Sequence, residues 1–274
     1  MALREKSTQA WIGFYIDRYK KSFERFLGIS LPKVKPNPYQ QVMLAEIRPR
    51  IEEVLKEKGQ ATLLSAGSGI DIIAFHLKKG FHERIRIVLL DISSECLRLN
   101  RKMFGDKVDC IEGDVFGLDN HRNRYDIVYN TGLLEHFSRR EQRKIIGNIS
   151  HVLKPGGFYI TLNPYAGGRI YTQYMELAKR KGIWEYGEES PIATLNPFSS
   201  EEFQLVNEYP CCSIIQLAML KYRGRVCYYT VFLLIAVLYR FLFYRRFDDW
   251  AGRYIGYYGL ISVFKKRNTK SRFP

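Results

Sequence analysis

The chain has 274 residues, of which 46% are hydrophobic, enough to bury the core of one α/β domain with insertions, and a formal net charge of +15. Its five cysteines, at positions 96, 110, 211, 212 and 227, form no Cys-x-x-Cys pairing with histidines, which argues against a zinc site and a disulfide framework and fits a reducing, cytoplasmic setting. The opening Met1-Ala-Leu-Arg-Glu-Lys6 has no apolar core followed by a small-residue cleavage site, so no secretory signal is expected.

Ala10 to Leu27 sets Trp11, Phe14, Tyr15, Tyr19, Phe23 and Phe26 among Lys and Arg at helical spacings, predicting an amphipathic helix. Pro32, Pro36 and Pro38 mark a linker, and Tyr39 to Lys58 reads as a second helix stopped by Gly59. Residues 1–58 are thus expected to form an N-terminal helical extension, a lid or substrate cap with the first helix as a candidate membrane anchor, ahead of a main domain over 59–274.

That domain opens on Thr62-Leu-Leu-Ser-Ala-Gly67-Ser-Gly69-Ile-Asp71, followed about twenty residues later by Ile85-Arg-Ile-Val-Leu-Leu-Asp91. The pattern is buried strand, glycine turn, helix, second buried strand and a carboxylate, the layout of a nucleotide-binding crevice. Gly67 lets the chain turn tightly and Gly69 lets backbone approach a ligand, while Asp91 can accept hydrogen bonds from ribose hydroxyls. The absence of a Gly-x-Gly-x-x-Gly spacing argues against a dinucleotide.

Further elements follow in alternation: helix Ser93 to Phe104, strand Lys107 to Ile111, strand Tyr125 to Tyr129, helix Ser138 to Leu153 and strand Phe158 to Leu162. Alternation of this kind implies a doubly wound parallel α/β sheet. After Asn163 the pattern loosens into an insertion over 164–210, in which Ser199-Ser-Glu-Glu202 reads as a capping box opening a helix. Cys212 to Leu220 and Tyr257 to Lys265 are the expected last strands.

Between those two strands the charge is concentrated. Cys211 to Pro274 holds twelve Lys or Arg against two Asp, an excess of ten within the overall +15. Within it Val226 to Tyr239 is uncharged for fourteen residues, bracketed by Arg223, Arg225, Arg240, Arg245 and Arg246. A basic apolar helix over 226–246 suggests contact of 223–246 with an anionic membrane surface, peripheral at its inner face. A crossing needs about twenty apolar residues, and a single pass would leave two strands of one sheet on opposite sides of the bilayer. Burial against the protein's own core or a dimer partner is the alternative.

Three further segments sit at telling spacings: Cys110-Ile-Glu-Gly-Asp114, Tyr125-Asp-Ile-Val-Tyr-Asn130-Thr-Gly-Leu-Leu-Glu135-His136-Phe137, and Val152-Leu-Lys-Pro155-Gly156-Gly157-Phe-Tyr-Ile-Thr-Leu-Asn163. With the glycine turn, they resemble the successive motifs of class I S-adenosylmethionine-dependent methyltransferases over roughly Ala61 to Leu162, of a small-molecule type similar to quinone-biosynthesis methyltransferases. The resemblance implies a Rossmann-like, mostly parallel seven-stranded sheet with an antiparallel last strand lying between its neighbours, and helical insertions after strands 5 and 6. It implies S-adenosylmethionine as cofactor, with Gly67 and Gly69 under its methionine part, Asp91 on the ribose and Asp114 at the adenine amino group. Ile92, Val115 and Asn130 complete the expected cofactor set, Asn130 facing the cofactor from the fourth strand.

The family's first motif begins on an acidic residue and ends on a third glycine, where this chain has Ser65 and Asp71. Asp71, near the start of a helix, either supplies the missing negative charge or serves the helix alone. Glu135 and His136 follow the fourth strand on the acceptor side, and His136, with an ordinary pKa near 6.5, is the expected base; orienting the following helix is their other reading. Some quinone-biosynthesis relatives add an acidic residue three positions before the Glu to hold a divalent metal. That position here is Gly132, so no metal is expected. Asn163-Pro-Tyr165 looks like part of the Asn-Pro-Pro-Tyr motif of DNA amino-methyltransferases but follows the wrong strand. Tyr165, Tyr171 and Tyr174 are instead expected to line an acceptor pocket.

The sequence therefore points to methyl transfer by in-line displacement to an amphiphilic or lipid-linked small molecule. RNA methylation is the runner-up, supported by charge but disfavoured by the apolar character of the basic region. A catalytically silent protein of the same fold is the third reading.

Overall fold

The computed structural model describes residues 36–118, 122–184, 186–222 and 244–268. The amphipathic helix expected over 10–27 and the apolar run 226–239 lie outside the described residues.

The first described helix, α1 (Pro38–Lys58), is set by a capping box in which Asn37 and Gln40 exchange hydrogen bonds, and it ends on Gly59 at φ 74°. It precedes β1 (Ala61–Ala66), α2 (Ile72–Phe81), β2 (Ile85–Asp91), α3 (Ser94–Phe104), β3 (Asp109–Glu112), β4 (Tyr125–Thr131), α4 (Arg139–Val152) and β5 (Leu153–Pro164). An insertion with α5 (Arg169–Arg180) leads to β6 (Phe203–Cys211), and α6 (Tyr244–Ile255) leads to β7 (Gly259–Lys266).

All seven strands form one sheet in the order β3-β2-β1-β4-β5-β7-β6. The first five pair in parallel, and β7 runs antiparallel to both β5 and β6. Strand order reverses between β1 and β4, which opens a crevice at the carboxyl ends of those strands.

Side chains alternate between the two faces. Leu63, Ile87, Leu89, Ile127, Tyr129 and Ile160 pack with α1, α2 and α3. Leu64, Ala66, Val88, Leu90, Val128 and Tyr159 pack on α4 and the loop from Ile192 to Phe198. With both faces covered, the central strands read as near-continuous apolar runs.

Two expectations are corrected at the carboxyl-terminal end. No helix follows Ser199. Its hydroxyl accepts from the amide of Leu205 at 3.1 Å, and Ser200 accepts from Phe203 at 3.1 Å, so the same short side chains start β6 instead. The expected strand Cys212 to Leu220 is also displaced: β6 ends at Cys211, Cys212 takes φ 62°, and Ile214–Tyr222 coils into 3-10 turns. As the edge strand, β6 tolerates Pro210 and the polar side chains that hid it in the sequence. Among the described residues no helix is long and apolar enough to cross a membrane.

Candidate active site

The crevice is built on the loop after β1. Gly67 and Gly69 take φ 66° and 51°, the left-handed region that glycine enters without steric cost. The amides of Gly67 and Ser68 both donate to the Leu90 carbonyl, at 2.9 and 3.0 Å, which seats the loop on the end of β2. Gly67 is also close-packed: a Cβ there would lie 2.9 Å from Leu133 Cδ1. From beneath, the fully buried Asn100 donates to the Gly69 carbonyl at 2.7 Å and accepts from the Asp71 amide at 3.1 Å. Nothing in the sequence pattern singled out Asn100.

Asp91 faces this loop. Its Oδ2 accepts from the Gly69 amide at 2.7 Å and its Oδ1 from the Ser93 amide at 2.8 Å. Burial pushes its carboxyl above the ordinary range, and these two amides act in the opposite direction. The Ile92 amide also reaches this carboxylate; with about four lone-pair sites in all, acceptor capacity remains for an incoming ligand.

The Ser65 and Asp71 side chains come together although six positions apart in sequence. Asp71 is the N-cap of α2, its Oδ1 accepting from the Ala74 amide at 2.8 Å. Its Oδ2 accepts from Tyr129 at 2.8 Å, and Ser65 hydrogen-bonds to the same carboxylate. The carboxylate is buried, which raises its pKa against those three hydrogen bonds. Asp71 therefore caps the helix and also sets its charge beside Ser65. Tyr129, its partner, was not foreseen.

Past the end of β2, Ile92 stands 44% exposed beside Asp91, while Val115 is buried. Asp114 Oδ1 accepts from the Phe116 amide at 3.0 Å. Asn130, expected to face the cofactor, has a side chain 1% exposed that accepts from Tyr159 at 2.8 Å.

Beyond β4, a 3-10 turn (Leu134–His136) carries Glu135 and His136. His136 Nδ1 lies 3.0 Å from the Glu188 carbonyl, a contact that requires the proton on Nδ1. The ring's Nε2 then faces Glu135 Oε1 at 3.8 Å and Glu189 Oε1 at 3.9 Å. Burial pushes His136 down to about 4, so the imidazole is neutral at pH 7 and a weaker base than its ordinary value implies. Burial pushes Glu135 and Glu189 upward, Glu135 further through the Glu189 charge. The carboxyls are thus the stronger bases of the group.

Glu189 escaped the sequence reading. The Ser190 amide donates to the Glu135 carbonyl at 2.7 Å and fastens its loop to the turn. Tyr171, also buried, donates to Glu189 Oε2 and meets Tyr258 edge-on at 5.0 Å. Tyr258 in turn lies 5.8 Å from Tyr39 of α1, whose hydroxyl donates to the Leu162 carbonyl at 2.8 Å. The three expected pocket tyrosines do not form one wall. Tyr165 packs with the cluster around Leu64 and Leu134, whereas Tyr171 and Tyr174 belong with Met175 and Met219.

Sheet order, a glycine loop at the point of strand reversal and a carboxylate ending β2 define the class I, S-adenosylmethionine-dependent methyltransferase fold. Residues 63–157 match a family described as a methyltransferase domain. It is 31% identical over 117 residues to phosphoethanolamine N-methyltransferase 1 of Triticum aestivum, a match covering 41% of this chain and 23% of the relative. The chain thus spans about a quarter of that relative's length. A structure from Galdieria sulphuraria described as a sarcosine dimethylglycine methyltransferase shares the fold at TM-score 0.52 and 16% identity, over 86% of this chain and 92% of that one. Geranyl diphosphate C-methyltransferase of Streptomyces coelicolor A3(2), solved with Mg2+, geranyl diphosphate and S-adenosyl-L-homocysteine, matches at TM-score 0.50 and 12% identity, over 80% and 79% of the two chains.

Proposed function

We propose that the protein transfers a methyl group from S-adenosylmethionine to an amphiphilic or lipid-linked small molecule. The observation that carries this reading is Asp91, anchored by backbone amides on both oxygens with acceptor capacity left over. A ribose hydroxyl needs such an acceptor. Ile92, apolar and exposed beside it, offers a face for adenine, and Asp114 an acceptor for the adenine amino group. These residues fit the cofactor. When bound, S-adenosylmethionine supplies a methyl group already activated on a sulfonium.

The chain's own residues then bind, orient and exclude water. Asp71 offers negative charge behind the glycine loop, in the place of the acidic residue that Ser65 lacks. Glu135, His136 and Glu189 gather polar atoms at the acceptor end of β4. An amphiphilic acceptor is supported by the basic apolar segment 223–246, which joins β6 and β7. A small-molecule acceptor is supported by the relative named phosphoethanolamine N-methyltransferase 1.

Calorimetry with S-adenosylhomocysteine tests the cofactor; absence of binding would overturn the enzymatic reading. Incubation with the methyl-tritiated cofactor and a total lipid extract tests the acceptor. Label partitioning into the organic phase is expected, and label confined to the aqueous phase would reject the lipid-linked class. Sedimentation with vesicles of phosphatidylcholine and phosphatidylglycerol tests surface binding, which should weaken with salt.

A further inference from the structure

Glu135, His136 and Glu189 each present one metal-ligating atom, and these atoms lie within 4.8 Å of one another in a largely buried place. We propose that this cluster is a binding site for a single divalent cation such as Mn2+, Zn2+ or Mg2+, with Glu189 of the insertion as a ligand that neither the sequence pattern nor the matched segment 63–157 contains.

The argument begins with what converges there. Glu135 Oε1 and Glu189 Oε1 are carboxylate oxygens, and His136 Nε2 bears a lone pair because the Glu188 carbonyl holds the ring proton on Nδ1. Electron-pair donors at 3.8 and 3.9 Å repel unless a proton or a cation stands between them. Atoms sharing one metal at about 2.0–2.2 Å from each stand about 3.0–3.6 Å apart, so a small inward shift of these side chains completes a coordination site. A metal-binding histidine commonly donates its other ring N–H to a backbone carbonyl, as His136 does here.

A second observation points the same way. Glu135 Oε2 has no hydrogen-bond partner among the described residues although the side chain is only 2% exposed. A buried carboxylate oxygen left so carries a desolvation cost of about 1–3 kcal/mol. A coordinated cation relieves it.

The backbone beside the cluster leaves it room. Gly132 takes φ 63°, and a Cβ on it would stand 3.3 Å from Glu135 Oε1. Glu189 is held in place: its other oxygen accepts from Tyr171, and its loop is tied down by the Ser190 amide. Lys179 approaches this loop but bonds outward, to the Glu188 carboxylate at 3.4 Å and the Glu189 carbonyl at 3.3 Å. Its ammonium is not a bridge between the two buried carboxylates. Two carboxylates with one imidazole favour Mn2+, Mg2+ or Zn2+ over a soft ion.

Metal binding is measured on the full chain without cofactor, so its outcome is separate from that of methyl transfer. After stripping with chelator, titration with Mn2+, Zn2+ and Mg2+ should show a one-to-one complex by calorimetry for at least one ion. Bound Mn2+ should show electron spin echo modulation from a coordinated imidazole nitrogen. Glu189→Gln, which keeps an acceptor for Tyr171, should weaken binding at least about thirtyfold, whereas Glu188→Gln, on an exposed neighbour, should not. Absence of a complex with all three ions, absence of the nitrogen signature in the unmodified protein, or equal affinity in Glu189→Gln would each overturn the site.

Discussion

Replacing Asp91 by alanine isolates the contact on which cofactor binding is proposed to depend. In the protein, Oδ2 and Oδ1 accept from the Gly69 and Ser93 amides at 2.7 and 2.8 Å, so the carboxylate holds the loop as well as a ligand. A hydrogen bond to a charged group contributes about 1.5–3 kcal/mol. Loss of two ribose contacts would exceed 3 kcal/mol if water did not replace them. Because the site is half-buried and water partly does, we expect about 3 kcal/mol, or roughly a hundredfold weaker dissociation constant. Calorimetry with S-adenosylhomocysteine reads this directly. The two lost amide bonds also cost the apo protein stability, so a melting curve accompanies the titration. A 2′-deoxyribose analogue separates the effects: it should bind the natural protein less tightly than the ribose form, and Asp91→Ala should discriminate much less between them. Affinity within threefold of the natural protein for the ribose form would refute the reasoning.

Other perturbations address the surroundings. Gly67→Ala places a side chain at φ 66° with its Cβ 2.9 Å from Leu133 Cδ1, and should lose about 1–2 kcal/mol from the left-handed backbone alone. Leu133→Ala in the same chain should recover the contact but not the backbone component, as chemical denaturation would show. Asp71→Asn should weaken S-adenosylhomocysteine binding more than Ser65→Ala; equal losses would leave Asp71 as a helix cap only. Asp126, buried, accepts from the Thr62 amide at 2.9 Å, from Lys58 at 3.0 Å and from Lys154 at 2.8 Å. Burial opposes its charge, yet the bonds to Lys154, Thr62 and Lys58 prevail and hold its pKa below the ordinary value. Its contribution is therefore present above about pH 4 and lost as pH falls through the depressed folded value. Asp126→Asn should cost about 2 kcal/mol at pH 7, since both lysines are partly solvated, and should flatten the acid limb of a melting-temperature profile.

Much of the crevice was legible because its signals are local. The β1 loop, α2 and β2 lie in one stretch of thirty-one residues from Ala61 to Asp91, where glycine conformation, capping and strand burial each leave a mark on neighbouring positions. Asp91 and the glycines could be placed from that alone. Asn100 could not, since an asparagine within an amphipathic helix gives no sign that it reaches Gly69. Glu189 lies fifty-four positions beyond Glu135, in Gly187-Glu-Glu-Ser190, where an acidic pair reads as solvent-facing. Only the fold brings it onto the turn after β4. At the other end, Ser199-Ser-Glu-Glu202 misled because a hydroxyl that can cap a helix can equally start a strand, and the choice was made by pairing of β6 with β7.

The pairing of Cys211 with Gly259, and of Gly259 with Pro164, fixes where the long excursion between β6 and β7 departs and returns. Both ends emerge at the carboxyl edge of the parallel strands, the rim on which Gly67 and Asp91 sit. If, as proposed, 223–246 meets a lipid surface, an acceptor held in that surface would be met at the concentration of a surface instead of that of bulk solution. The encounter would become two-dimensional, and turnover would scale with the density of acceptor in its layer.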